Sequence, residues 1–111
     1  MKMIKVIVYT TSTKKKPFLE WLEELDKKAQ SIVITRVDRL NLGNFGDCKQ
    51  LKNAEGVWEL RIGYGPGYRV YFGKIGAQIV ILLVGGDKGS QAHDIIKAKR
   101  YWHEYRESSH E

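Results

Sequence analysis

VWELRIGYGPGYRVYFGKIGAQIVILLVGGDK (residues 57–88) reads as three strands and a closing loop. Alternation over residues 57–63 sends Trp58, Leu60 and Ile62 to one face, and Glu59 and Arg61 to the other. The glycines at 63, 65 and 67, with Tyr64 and Pro66 between them, supply the backbone freedom for a reversal. The returning strand, residues 68–73, alternates again. Tyr68, Val70 and Phe72 point one way, Arg69 and Tyr71 the other. If the apolar faces share a core, Glu59, Arg61, Arg69 and Tyr71 share the opposite face of one hairpin. Two guanidiniums, a carboxylate and a phenol on a rigid sheet suit a phosphate ligand. The same set also describes a solvated sheet face with cross-strand charge pairs. Residues 78–84 are apolar on both faces, the pattern of a central strand covered on both sides. Residues 85–89 read as a flexible loop at its end.

Working outward, residues 3–9 form a short β-branched strand, and residues 10–16 a polar connection. The run Lys14-Lys15-Lys16 reads as a solvated loop, with a phosphate contact as the second option. Pro17 suits the first turn of a helix, and Phe18, Trp21, Leu22 and Leu25 repeat at buried-face spacing. Glu20, Glu23 and Glu24 take the other side. A second helix runs from about 26 to 42, with Asp26 as N-cap and Gly43 as the stop. The two form a helical hairpin in which Phe18 and Trp21 are core or partner-facing residues, not a base-stacking site. Residues 44–47 are a turn, 48–52 a short strand or extended lead-in, and 53–56 another turn. Ser90 can cap a last helix, with Asp94 in its first turn. Ile95, Ala98, Trp102 and Tyr105 hold helical spacing to about Arg106, and residues 107–111 read as a frayed tail. The expectation is one α+β domain over residues 1–111: an N-terminal strand and helical hairpin packed on a mainly antiparallel sheet, then a C-terminal helix.

The totals agree with this. At 111 residues there is room for one domain, which can bury enough surface to fold without metal or disulfide support. Cys48 is the only cysteine, so no intrachain disulfide forms; a reducing, cytoplasmic setting follows, with Cys48 as a small buried hydrophobe. Lys and Arg number 19 against 13 Asp and Glu, a formal charge of +6 that favours polyanions or an acidic protein partner. No segment has the order of a signal peptide, and the longest apolar run, residues 79–84, is far too short to span a bilayer. There is no internal repeat or low-complexity stretch. His103 and His110 lack neighbours at ligand spacing, and no metal or other cofactor is expected. The glycines of residues 63–67 do not precede a helix, so they are no dinucleotide fingerprint.

Taken together, Lys52, Trp58-Glu59-Leu60-Arg61, Gly65-Pro66-Gly67-Tyr68-Arg69-Val70-Tyr71-Phe72, Leu82-Leu83-Val84-Gly85-Gly86-Asp87-Lys88, Gln91, Asp94-Ile95 and Ala98 resemble the RelE/ParE superfamily of bacterial toxins. The likeness is closest to its phage-derived or addiction-module killer group and covers nearly the whole chain. It implies a RelE-like fold and the toxin half of a type II toxin–antitoxin pair. RelE-type members are ribosome-dependent mRNA endonucleases neutralised by an antitoxin encoded beside them; the ParE branch poisons DNA gyrase. By that likeness Arg69 matches the family arginine that contacts the scissile phosphate, Arg61 a basic position on the preceding strand, and Lys88 a catalytic basic residue after the last strand. The match is incomplete. Val57 and Glu59 stand where RelE carries two lysines, and no tyrosine occupies residues 91–95.

RNA cleavage by its own 2′-OH needs a proton taken from that hydroxyl, charge stabilised at phosphorus, and a proton given to the leaving 5′-oxygen. Arg61 and Arg69 are candidates for clamping the non-bridging oxygens. Lys52 and Lys88 would add charge at the edges, and either could donate the leaving-group proton. Glu59 is either the general base or the carboxylate that holds an arginine in place, and an ion pair would make it a poor base. Tyr71, Lys49, Gln91 and His93 are candidates for contacting RNA: Tyr71 by stacking, by a hydrogen bond, or only as packing; His93 as acid or base beside Asp94, or only as an exposed first-turn residue. An antitoxin is expected to cover the arginine face or displace part of the C-terminal helix, in a hetero-oligomer with the toxin. A gyrase-binding toxin and an inactive binding module of the same fold are the other readings.

Overall fold

The computed structural model describes residues 3–108. The chain runs β1 (Lys5–Val8), α1 (Pro17–Glu23), α2 (Lys27–Asn41), β2 (Cys48–Gln50), β3 (Val57–Ile62), β4 (Tyr68–Ile75), β5 (Ile79–Gly86) and α3 (Gln91–Ser108). One five-stranded sheet has the order β1-β5-β4-β3-β2. β1 pairs parallel with β5, and every other pair is antiparallel. The expected α+β architecture is therefore present. No helix among the described residues is long and apolar enough to cross a membrane.

The alternation in β3 and β4 divides the sheet as expected. Leu60, Ile62, Val70 and Phe72 join Val80 and Leu82 in a core closed by Phe18 and Leu22 of α1 and Val33 and Leu40 of α2. On the other face Val57, Tyr71, Ile81 and Leu83 pack against Ala98 and Trp102 of α3. Asp26 caps α2 by accepting the Ala29 N–H at 2.8 Å, and Gly43 follows that helix at φ +85°.

Each helical layer presses an indole onto a glycine. A Cβ at Gly85 would overlap the Trp21 ring, and one at Gly73 the Trp102 ring. The Trp102 indole is anchored by its N–H, which donates to the Glu55 carbonyl at 2.9 Å.

Three expectations need correction between the end of β5 and the end of α3. Gly85 and Gly86 belong to the strand, and Lys88–Ser90 forms a 3₁₀ turn in place of a flexible loop. That turn is held by Asp87, whose Oδ1 accepts from Gly89 N at 2.8 Å and Ser90 N at 3.1 Å, while Ser90 Oγ accepts from Asp87 N at 3.2 Å. Asp87 thus caps the 3₁₀ turn that leads into α3, and the Ser90 hydroxyl, expected to cap the helix itself, completes that reciprocal box. Finally, α3 continues to Ser108, beyond the expected frayed start at 107; His110 lies outside the described residues.

A bulge is the irregularity that sequence alternation did not show. Tyr71 faces Val84 and Phe72 faces Leu82, leaving Leu83 as an extra residue in β5. The inserted residue turns the strand end so that Gly85 meets α1 and Gly86 meets α3.

Gly73→Ala and Gly85→Ala are each expected to destabilise the fold by about 1–3 kcal/mol in urea titrations, through overpacking against an indole. Gly63→Ala, where an added Cβ meets nothing within 4 Å, should stay within about 0.5 kcal/mol. Cys48 donates its S–H to the Phe45 carbonyl at 2.9 Å, and burial pushes the thiol up to about 11. A raised pKa leaves less thiolate at any given pH. Alkylation of the folded protein should therefore be slow at neutral pH, accelerate toward pH 11, and become fast at neutral pH in denaturant.

Candidate functional site

Arg61 and Arg69 lie directly opposite one another across β3 and β4, and Glu59 lies opposite Tyr71 on the same face. Two like charges facing each other across an antiparallel pair repel. The fold answers with a carboxylate beneath them. Glu59 has no solvent exposure, and its Oε1 lies 3.8 Å from Arg61 Nε while its Oε2 lies 3.6 Å from Arg69 Nε. These are ion pairs longer than hydrogen bonds. The hydrogen bond to Glu59 comes from Gln91, the first residue of α3, whose Nε2 donates to Oε2 at 2.9 Å.

The guanidiniums differ in freedom. The Arg69 side chain is 13% exposed and also donates to the Gly67 carbonyl at 3.0 Å, whereas that of Arg61 is 42% exposed. Arg61 is held from its outer side by Asp47, with Nη2 donating to Oδ1 at 3.2 Å. The neighbouring backbone is clamped too: Arg61 N donates to the Asp47 carbonyl at 2.9 Å, and Arg36 Nη1 donates to the Arg61 carbonyl at 3.2 Å. Lys88 is exposed in the 3₁₀ turn. A Cβ built on Gly67 would lie 3.5 Å from Arg69 Nη1 and 3.7 Å from Lys88 Cβ, so the three residues meet at one corner.

The fold thus brings Arg61, Arg69, Glu59 and Lys88 together. Lys49 stands opposite Glu59 on the edge strand β2, exposed and on the same sheet face. Lys52 does not join them. It is exposed in the β2–β3 turn, level with the start of β3 and roughly 16 Å along the strand from Arg61, at about 3.3 Å per residue. Gln91 is turned inward onto Glu59. His93 is exposed on the first turn of α3.

Tyr71 corrects the stacking expectation. It is completely buried under α3, so no ring face is open to a base. Burial is the main cause that pushes its phenol well above the ordinary tyrosine range, with the Glu59 and Asp94 carboxylates adding to it and Arg69 opposing. Glu59 has the same difficulty as a general base: a carboxylate with no exposure, shared by two guanidiniums, cannot reach a substrate hydroxyl.

Residues 44–47 read only as a turn, which hid Asp47. Its signal lay in register: once Cys48 faces Leu60, the residue before it must face Arg61. Asp94 was similarly placed only by the fold. It is 5% exposed, accepts a short hydrogen bond from Ser90 Oγ, and fills the space a side chain at Gly86 would take.

Glu59→Ala should cost about 3 kcal/mol or more in chemical denaturation, because it leaves the largely buried Arg69 without its anion and Arg61 with Asp47 alone. Glu59→Gln keeps the volume and a partner for Gln91, and should cost less.

Comparison with known proteins agrees with this architecture. Residues 20–102 match the family described as Phage derived protein Gp49-like (DUF891). An uncharacterized protein of Haemophilus influenzae is 46% identical over 83 residues, which is 74% of this chain and 82% of that protein. Among solved structures, an arginine-to-alanine double mutant of the Escherichia coli toxin RelE in the free state superposes with a TM-score of 0.64. The superposition covers 88% of this chain and 96% of the other, at 11% identity. At that identity the likeness concerns the fold. The chain belongs to the phage-derived Gp49-like family and has a RelE-like fold.

Proposed function

We propose that this chain is the toxin of a toxin–antitoxin pair and cleaves mRNA on the ribosome, using the RNA's own 2′-OH as nucleophile. The observation that carries the reading is the pair of guanidiniums held side by side on one buried carboxylate, with Lys88 at their edge. Arg61 and Arg69 receive the two non-bridging oxygens of the scissile phosphate. Their charge is in place before the substrate arrives, so no reorganisation is needed as the five-coordinate phosphorus forms.

The acid–base roles then divide by access. Lys88, exposed beside Arg69, supplies the proton to the leaving 5′-oxygen. Glu59 is a positioning residue, and Gln91 and Asp47 are its counterparts on either side. The proton of the 2′-OH has to go to an exposed group, and His93 is the candidate the chain offers. Lys49 extends the basic face along the edge strand, where RNA leaving the clamp meets a cation. A cognate antitoxin belongs to this reading. RelE, which shares the fold, bears the name of toxin. The surplus of positive charge gives an acidic segment something to cover.

A defined mRNA incubated with the purified protein, with and without translating ribosomes, tests the reading. Cleavage on ribosomes is expected, with Arg69→Ala lowering the rate at least about 100-fold while the variant stays folded. Lys52→Ala should change the rate less than threefold. Absence of cleavage under both conditions, with growth still arrested on induction, would transfer the reading to a gyrase-binding toxin.

A further inference from the structure

We propose that Tyr64 and Tyr68 form a stacking platform for the nucleobase adjacent to the phosphate held by Arg61 and Arg69. The proposal rests on the endonuclease reading and specifies how the RNA strand is gripped. Single-stranded RNA is commonly held by splayed bases stacked on aromatic rings beside a basic track. Tyr71 is enclosed by α3 and cannot serve. Tyr64 and Tyr68, in and after the β3–β4 reversal, are only half-buried.

The two rings are already arranged as a pair, with centroids 6.5 Å apart and planes inclined by 29°. Tyr68 is steadied from the α1 side by Trp21, which meets it edge-on at 6.0 Å and 70°. Gly65, at φ +57°, lets the reversal pass close beneath the ring; a Cβ there would stand 3.5 Å from Tyr68. Lys28 of α2 places its Nζ 5.7 Å from the Tyr64 ring centroid, adding a cation at the far end.

The decisive observation is that Tyr68 shares a cavity with both arginines. This space of about 210 Å³ opens at the end of the sheet and is lined by Tyr68, Arg61, Arg69, Asp47 and Gly67. β-strand alternation sends Tyr68 and Arg69 to opposite faces, and at the sheet's end both residues border the same opening. A nucleotide needs that combination: a flat π surface for the base and forked donors for the phosphate. Lys28, Tyr64, Tyr68 and Arg69 give a strand contacts of both kinds, two rings with a cation at either end.

The test uses the purified chain and a fluorescently labelled short single-stranded RNA with 2′-fluoro sugars, which cannot cleave itself. Abasic sites are moved through it one position at a time, and affinity is read by anisotropy. One abasic position is expected to weaken wild-type binding about tenfold. Tyr64→Leu and Tyr68→Leu should weaken binding of the intact RNA by a similar factor and be insensitive to that same abasic site. Tyr64→Phe, which keeps the ring, should restore the sensitivity that Tyr64→Leu removes. Tyr64 stands in the turn, so this pair of variants decides the matter even if Tyr68→Leu fails to fold. The platform is overturned if no abasic position matters, if the penalty persists in both leucine variants, or if the wild type does not bind. A flat abasic scan with binding lost in Arg69→Ala would remove the platform and keep the phosphate clamp. Coupling between Tyr64 and one base, with no cleavage on ribosomes, would keep the RNA site and remove the nuclease.

Discussion

Two arginines face each other across an antiparallel pair, and a buried carboxylate shared by both offsets their repulsion. Glu59 supplies that charge, and its complete burial leaves its interaction with the largely buried Arg69 weakly screened, while that with the more exposed Arg61 is partly screened by water. The arrangement is costly in parts and stable as a set. A buried carboxylate alone would be strongly disfavoured, and so would two facing guanidiniums without an anion between them. Gln91 ties the set to α3 and Asp47 ties it to the strand edge, so the site is cross-braced from two sides.

The layers around the sheet are set by two close contacts of the same kind. Trp21 lies on Gly85 and Trp102 on Gly73, one on each face. Large aromatic rings bury much apolar area, and a glycine opposite lets the helix approach the sheet backbone closely. The bulge at Leu83 then rotates the end of β5. It places Gly86 under Asp94 and delivers the 3₁₀ turn carrying Lys88 to the Arg69 corner. The cation at the edge of the clamp therefore depends on an irregularity several residues away.

Fold and chemistry separate clearly when this chain is set beside a solved structure of the same fold. The RelE toxin covers nearly the same architecture at 11% identity, too little to carry individual side chains across. The Gp49-like family assignment and the Haemophilus influenzae relative cover most of the chain, yet neither names a reaction. What singles out the site is local: guanidiniums preorganised on an anion, beside half-buried tyrosines. Tyr71 on β4 is fully enclosed, whereas Tyr64 and Tyr68 at the reversal are half-buried and stacked on one another.

Much of this was legible in residue order. Alternation over residues 57–73 determined which side chains share a face, because strand geometry leaves no other choice once one face is apolar. Helical spacing, Pro17, Asp26 and Gly43 located the helices for equally local reasons. Local pattern cannot report what covers a face. That Glu59 and Tyr71 are sealed while Arg61 stays open depends on where α3 lies, and α3 is brought there by contacts more than thirty residues distant in sequence. The same limit hid Asp47, whose partner follows from strand register, and misplaced Lys52, which is near Arg61 in sequence but stands at the far end of the strand. Sequence determined the fold class and the face of the site; only tertiary packing decided which of its groups can meet a substrate.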